Sequence, residues 1–277
     1  MMRISILILT LNEEKNLPRC LESLRWSDDI VVMDSFSTDQ TLEIARAAGA
    51  RVVQRKFDNE RDQRTASLKL EFKHPWVYNP DADEVTPLEL RDEMLRVVQD
   101  KSRSEVAYRV RFKTMFMGRW IKHSSLYPTW VVRLFRPEAI SFERTINLRC
   151  VVNGLEGKLQ SHFEHYTFNK GLDAWFDKHN RYSSQEAKEN LRLIERGGFC
   201  FGNLWSVEPP KRRRALKELS FRLPFRMPLR FFYMYLVRLG FLDGLPGYHY
   251  CRLLTIYEYM IVLKMREIRR RQQGLPL

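Results

Sequence analysis

Three carboxylates fall within four residues at Asp81-Ala82-Asp83-Glu84, just after the apolar Trp76-Val77-Tyr78 and before the break at Thr86-Pro87. If this stretch is extended, Asp81 and Asp83 point the same way, because side chains alternate along a strand. Hard oxygen ligands at the end of a short strand suit Mg²⁺ or Mn²⁺, which bind through one or two carboxylates plus the phosphates of a substrate. Taken alone, the same residues read more simply as a solvated acidic turn ahead of a helix, since short acidic motifs recur by accident. What precedes them changes that balance.

The elements upstream alternate regularly. Ile4 to Thr10 is β-branched and nearly continuous, as expected of a parallel strand covered on both faces. Leu17, Cys20, Leu21 and Leu24 then recur at helical spacing, with Asn12 available as a cap. Ile30 to Met33 is a second strand, and the apolar positions after Thr41 mark a second helix, stopped by Gly49. Arg51 to Gln54 is a third strand, Ala66 to Phe72 a third helix, and Trp76 to Tyr78 a fourth strand. This order predicts an α/β fold with an open, mostly parallel sheet and right-handed crossovers. Ligands of such sheets sit outside the carboxyl ends of the strands. Thr10 to Glu13, Asp34 to Asp39 and Asp81 to Glu84 all fall at those ends. Three polar clusters on one edge make a site there far better founded than one acidic motif does.

Neither a G-x-G-x-x-G after the first strand nor a G-x-x-x-x-G-K-[ST] is present. A nucleotide bound here is therefore held by side chains on its base and ribose, with its diphosphate on a metal. The four cysteines are scattered without a C-x-x-C pair, which indicates neither a zinc site nor a disulfide framework. A reducing compartment fits best.

The stretches Leu9-Thr10-Leu11-Asn12-Glu13-Glu14, Val32-Met33-Asp34-Ser35-Phe36-Ser37-Thr38-Asp39 and Asp81-Ala82-Asp83-Glu84 together resemble family 2 glycosyltransferases of the GT-A fold. The nearest likeness is to enzymes that build lipopolysaccharide cores and exopolysaccharides. It continues through Phe116 to Trp120, Tyr127 to Trp130, Arg133 to Arg136, His165-Tyr166 and Lys178 to Ser183, and so spans roughly residues 3–190. The resemblance implies that Thr10, Asn12, Glu13 and Asp34, with Ser35 and Asp39 in the same loop, contact the base and ribose of a nucleoside diphosphate sugar. It implies that Asp81 and Asp83 form the metal motif, with Asp83 the direct ligand to Mn²⁺ or Mg²⁺ and His165 near the metal. Arg64 lies where relatives carry an arginine close to the diphosphate, although Thr65 replaces the asparagine that usually follows. Relatives invert anomeric configuration by single displacement, which needs a carboxylate base, often the glutamate of a His-Glu pair. Asn147 and Leu148 occupy those two places here, leaving Glu143 and Glu84 as the carboxylates on offer.

Further strands are expected at Val106 to Phe112, Thr129 to Phe135 and Leu148 to Val152, where Trp120, Tyr127 and Trp130 are candidates for stacking on sugars. An amphipathic helix is expected from Asp173 to Glu189. The glycine pair at 197–198 and proline pair at 209–210 suggest a catalytic domain over 1–198 and a helical extension over 199–277. Net charge is +13 but uneven: residues 1–100 carry 14 Lys+Arg against 19 Asp+Glu, whereas residues 201–277 carry 15 against 5. The extension has a basic run at 211–214, an aromatic stretch at 229–239 and a last helix from about Tyr250 to Arg271. That composition predicts peripheral binding to an anionic membrane on its cytoplasmic face, through helices lying in the interface rather than crossing it.

Other classes fit less well. A sugar-phosphate nucleotidyltransferase would carry a basic, glycine-rich loop where Leu11-Asn12-Glu13-Glu14 stands. A nucleic-acid partner could meet the arginines of the tail, yet no base-reading motif is present. A catalytically degenerate scaffold is the alternative that Asn147 and Leu148 keep open.

Overall fold

The structure is a computed structural model that describes residues 3–143, 148–195 and 226–277, with residues 202, 205–208, 212, 215 and 219 between them. By internal contacts the chain divides into two units, Met1–Trp120 with Leu126–Lys170, and Ile121–Ser125 with Gly171–Leu277.

In the first unit β1 (Ile4–Thr10), β2 (Ile30–Asp34), β3 (Arg51–Gln54) and β4 (Trp76–Tyr78) are parallel, as the sequence predicts. Among the described residues the full sheet has nine strands. The others are β5 (Glu84–Val85), β6 (Glu105–Phe116), β7 (Arg119–Trp120), β8 (Trp130–Phe135) and β11 (Leu155–His165). Their order is β3-β2-β1-β4-β8-β6-β11-β5, with β7 beside β6. A separate hairpin joins β9 (Ile140–Glu143) to β10 (Arg149–Val152). Ile4, Ile6 and Ile8 enter the larger core with Leu17, Leu21 and Tyr78, while Leu7 packs with Val77 and Phe135 on the opposite face. Burial on both faces explains why this strand is apolar at successive positions rather than alternating.

The helices of this unit are α1 (Leu17–Glu22), α2 (Thr41–Ala47), α3 (Glu60–Ser67) and α4 (Leu88–Gln99). The third corrects the expectation of a helix over Ala66 to Phe72. Asn59 caps it by accepting the Asp62 N–H at 3.0 Å, and Glu60 and Asp62 in the first turn favour its dipole. Only Gln63 and Ser67 of this helix are buried, so apolar periodicity gave no sign of it. The long β11 was also not anticipated. It runs parallel to β6 and pairs antiparallel with β5, setting His165 opposite Glu84.

The second unit contains α5 (Leu172–Glu195), α6 (Arg226–Phe232), which continues into a π-helical turn over Tyr233–Val237, and α7 (Gly244–Gln272). The proposed boundary at 198 lies outside the described residues. The contact division falls earlier because α5 packs its Ala187 and Leu191 on Ile261 and Met265 of α7. The last helix begins six residues before expected, since Pro246 is compatible with a first helical turn. Asp243 draws residues 121–125 into this unit, accepting the N–H groups of Lys122, His123 and Ser124 at 3.1, 2.9 and 2.7 Å. A Cβ at Gly247 would stand 2.4 Å from the Gly240 carbonyl oxygen, so only glycine fits that crossing. Among the described residues no helix is long and apolar enough to cross a membrane.

Candidate active site

The register of the parallel strands assembles the site. Thr10 pairs with Asp34, and Leu9 bridges to Asp81, so all three polar clusters meet at the carboxyl edge. Asp34 is wholly buried and accepts the Thr10 hydroxyl at 2.9 Å and the Ser37 N–H at 2.8 Å. It therefore holds the two loops to each other. Asn12, in the left-handed region at φ 54°, receives the Thr38 N–H at 2.8 Å and gives its own N–H to the Ser37 hydroxyl. Glu13 and Glu14 donate their N–H groups to Thr41 at 2.7 Å and Asp39 at 3.1 Å. The Glu13 carboxylate meets Asn16 at 2.8 Å and Lys170 at 2.6 Å, and burial still raises its pKa. Burial pushes the Asp39 carboxyl upward, but bonds from Thr41 and Glu14 outweigh it and lower its pKa. Ser35 accepts from Gln63 at 3.1 Å, which ties α3 to the same edge.

The carboxylates of the acidic motif are employed differently from one another. Arg133 of β8, with only 10% of its side chain exposed, grips both Asp81 and Glu84. Arg64 adds a contact to Asp81 at 3.3 Å and another to Asn79 at 3.2 Å. Burial would raise the Asp81 carboxyl, but the Arg133 and Arg64 guanidinium groups hold it well below the usual carboxylate range. Glu84 is 1% exposed and also accepts the Asp81 N–H at 3.1 Å. Burial pushes it up to about 7 even against the attraction of Arg133. Glu84 thus meets Arg133 in a buried contact beneath Asp81. Arg133 and Asn79 were assigned no role from sequence. The signal for Arg133 was available, as a lone arginine inside the apolar run Trp130 to Phe135.

Asp83 lies at the partly open side of the motif, with its Oδ2 3.3 Å from Nε2 of His165. Burial disfavours the imidazolium, but the Asp83 carboxylate, with Glu84 and Asp81 behind it, wins and raises the His165 pKa. Phe112 and Phe163 pack against the ring and fix its orientation. Among the described residues no cluster of three or more His, Cys, Asp or Glu side chains could enclose a metal. One carboxylate oxygen and one imidazole nitrogen nevertheless suit a Mn²⁺ or Mg²⁺ that takes its other ligands from phosphate and water. Asp81, with both oxygens on guanidinium groups, fits a supporting place better than a direct one.

Next to Asp81 opens a cleft of about 740 Å³, lined by Arg64, Asn79, Arg109, Trp130, Arg133 and the hairpin residues Phe142 and Leu148 among others. Glu143 ends β9, 56% exposed and 4.0 Å from Arg149; Arg149 and Phe142 line the cleft, and Glu143 itself is not among its lining residues. Asn147 lies outside the described residues.

An open, mostly parallel α/β sheet with three polar clusters at its carboxyl edge, an acidic motif and an adjoining cleft has the architecture of the GT-A class. Residues 5–165 match the model of Glycosyl transferase family 2, and the chain belongs to that family. It is similar, at 25% identity over 97% of this chain and 88% of the relative, to an uncharacterized glycosyltransferase of Rickettsia typhi. Its identity to the lipopolysaccharide core biosynthesis glycosyltransferase LpsC of Rhizobium meliloti is 26%, over 95% of this chain and 91% of LpsC. Among solved structures, S. aureus TarS 1-349 in complex with UDP aligns with a TM-score of 0.43 and 17% identity, covering 99% of this chain and 92% of that one.

Proposed function

We propose that this protein is an inverting, metal-dependent hexosyltransferase that moves a sugar from a nucleoside diphosphate sugar to a lipid-linked saccharide during envelope polysaccharide synthesis. The single observation that carries it is the Asp83–His165 pair on the strand edge where Thr10, Asn12 and the Asp34 loop converge. The similarity to LpsC, whose name assigns it to lipopolysaccharide core biosynthesis, supports the envelope setting.

The loop from Thr10 to Glu13 and the segment Asp34 to Asp39 receive the base and ribose, with Asp34 holding them in register. Arg64 stands close enough to Asp81 to answer negative charge on the diphosphate. Asp83 and His165 would hold Mn²⁺ or Mg²⁺, which when bound supplies electrostatic stabilisation of the leaving diphosphate. In the reaction the acceptor oxygen forms a bond to the anomeric carbon as the bond to the diphosphate breaks. The electron pair of that bond leaves with the diphosphate, and the hydroxyl proton passes to a carboxylate. Glu143, exposed and next to the cleft-lining Phe142 in the chain, is the proposed base.

The second unit fits work at a membrane surface. Phe232, Leu236, Val237, Leu242 and Leu245 are each at least half exposed, and Arg269, Arg270 and Arg271 end α7 in solvent. Such a combination favours an anionic cytoplasmic leaflet of the plasma membrane. Isolated cell envelopes and a panel of labelled nucleotide sugars test the whole proposal. Label should enter the lipid-extractable saccharide, in a Mn²⁺- or Mg²⁺-dependent manner. Label that stays in the nucleotide pool for every donor would refute it and favour a non-catalytic scaffold.

A further inference from the structure

One face of the β8-β6-β11 region carries an unusual set of side chains. Arg111 of β6 is opposite Trp130 of β8 and His162 of β11, while Lys158 of β11 is opposite Arg109. The Arg111 guanidinium lies 5.7 Å from the Trp130 ring centre and 5.9 Å from that of Tyr127. Lys158 lies 5.3 Å from Trp130, and Lys113 is 4.7 Å from Trp120. Among the described residues no carboxylate stands within ion-pair distance of Arg111, Lys113 or Lys158. On the same sheet Arg109 meets Glu156 and Arg133 meets Asp81. Nε of Arg111 is moreover buried without a hydrogen-bond acceptor.

A cation above an aromatic ring keeps its net charge, because the ring carries no opposite charge to cancel it. His162 lies within the same face, opposite Arg111. Burial, then the charges of Lys113 and Arg111, lower its pKa against the smaller opposing pull of Glu164 and Glu89. The face is continuous with the cleft beside Asp81, because Trp130 and Arg109 belong to both. Aromatic rings pack on the C–H faces of sugars, and cations beside them select carboxylate or phosphate substituents.

We infer that Arg111, Lys113 and Lys158, set on Trp120, Tyr127 and Trp130, form an acceptor platform for an anionic saccharide. This names the acceptor class for the proposed transferase and rests on that proposal. The specificity would come from the charges, with the rings giving affinity that neutral sugars share.

Calorimetry in the presence of UDP and Mn²⁺ tests it, with tetragalacturonate and the neutral maltotetraose as probes and glucose 6-phosphate as the phosphate counterpart. The acidic probes should bind at least about tenfold tighter than maltotetraose, and the difference should vanish as salt rises from about 0.05 to 0.5 M. Lys113→Gln with Lys158→Gln should lower acidic-probe affinity by about tenfold and leave maltotetraose and UDP unchanged. Lys113 is partly exposed and Lys158 exposed, so this pair keeps the test independent of Arg111, whose Nε is buried. Equal binding of acidic and neutral saccharides, or no binding of either while UDP binds, overturns the inference. An equal loss when Arg269, Arg270 and Arg271 become glutamine also overturns it, because general positive charge would then suffice. Acidic selectivity without UDP binding would uphold the platform and count instead against the nucleotide-sugar site.

Discussion

Nε2 of His165 stands 3.3 Å from Oδ2 of Asp83, where the pairing of β11 with β5 brings residues 82 positions apart into contact. On the proposed reading these are two protein ligands, too few for a self-sufficient metal cage but enough when a diphosphate completes the shell. Cation and nucleotide must then strengthen each other's binding by the same factor.

Asp83→Asn and His165→Gln should each slow sugar transfer on the order of 10²-fold or more, comparable to the loss of one strong electrostatic contact to developing charge. Asp83→Asn removes no core packing, so its melting temperature should stay near that of the unmodified protein, whereas His165→Gln also gives up ring contacts with Phe112 and Phe163 and should melt somewhat lower. Transfer rates and thermal unfolding measured on the same preparations check both statements. Full turnover by either variant would remove that residue from the site.

Arg133 is a positioning residue for the same motif. Arg133→Met leaves Asp81 and Glu84 without their shared partner and should cost about 3–5 kcal/mol of stability. Lysine should restore only part of it, because a single ammonium cannot reproduce the fork that holds two carboxylates. Denaturant midpoints of the three proteins decide this. A methionine variant as stable as the parent would show that the arginine is not needed to offset those charges.

The parallel half of the sheet was legible because β1, β2 and β4 lie between two layers, and burial on both faces leaves continuous apolar runs. The Asp-x-Asp motif was legible for the same reason, since it follows directly on one of those runs. The helix over Glu60 to Ser67 was not, because its polar surface has no apolar stripe and only its cap announces it. The role of Glu84 was also hidden. Spacing places it beside Asp81 and Asp83, but its burial depends on Arg133, 49 residues further on. The base stays the least legible residue, since the family's His-Glu places carry Asn147 and Leu148.

Acid sensitivity should trace in part to Asp29, whose side chain is 1% exposed. Burial raises its pKa, but Ser5 at 2.6 Å, the Lys73 N–H at 2.8 Å and Arg51 at 3.1 Å outweigh it and the net shift is downward. A depressed carboxylate contributes stability that is present above the unfolded value of about 4 and lost as pH falls through the folded one. Asp29→Asn should lower stability at neutral pH by about 1–3 kcal/mol through the lost charge-assisted hydrogen bonds, and flatten the acid limb below about pH 4. Unfolding midpoints across pH 2–7 test this. Parallel acid limbs in the two proteins would contradict it.

Glu143→Gln should lower the chemical rate by roughly 10²–10⁴ while UDP affinity is retained. Single-turnover transfer separates the two quantities. An unchanged rate would exclude Glu143 as the base.

The most direct measurement of the central claim is calorimetric binding of UDP to the intact protein, with and without Mn²⁺, beside the Asp83→Asn variant. The Asp83–His165 edge predicts weak binding without the cation, at least about tenfold tighter binding with it, and no such gain in the variant. UDP affinity that is the same with and without Mn²⁺, or a gain that survives Asp83→Asn, would contradict it.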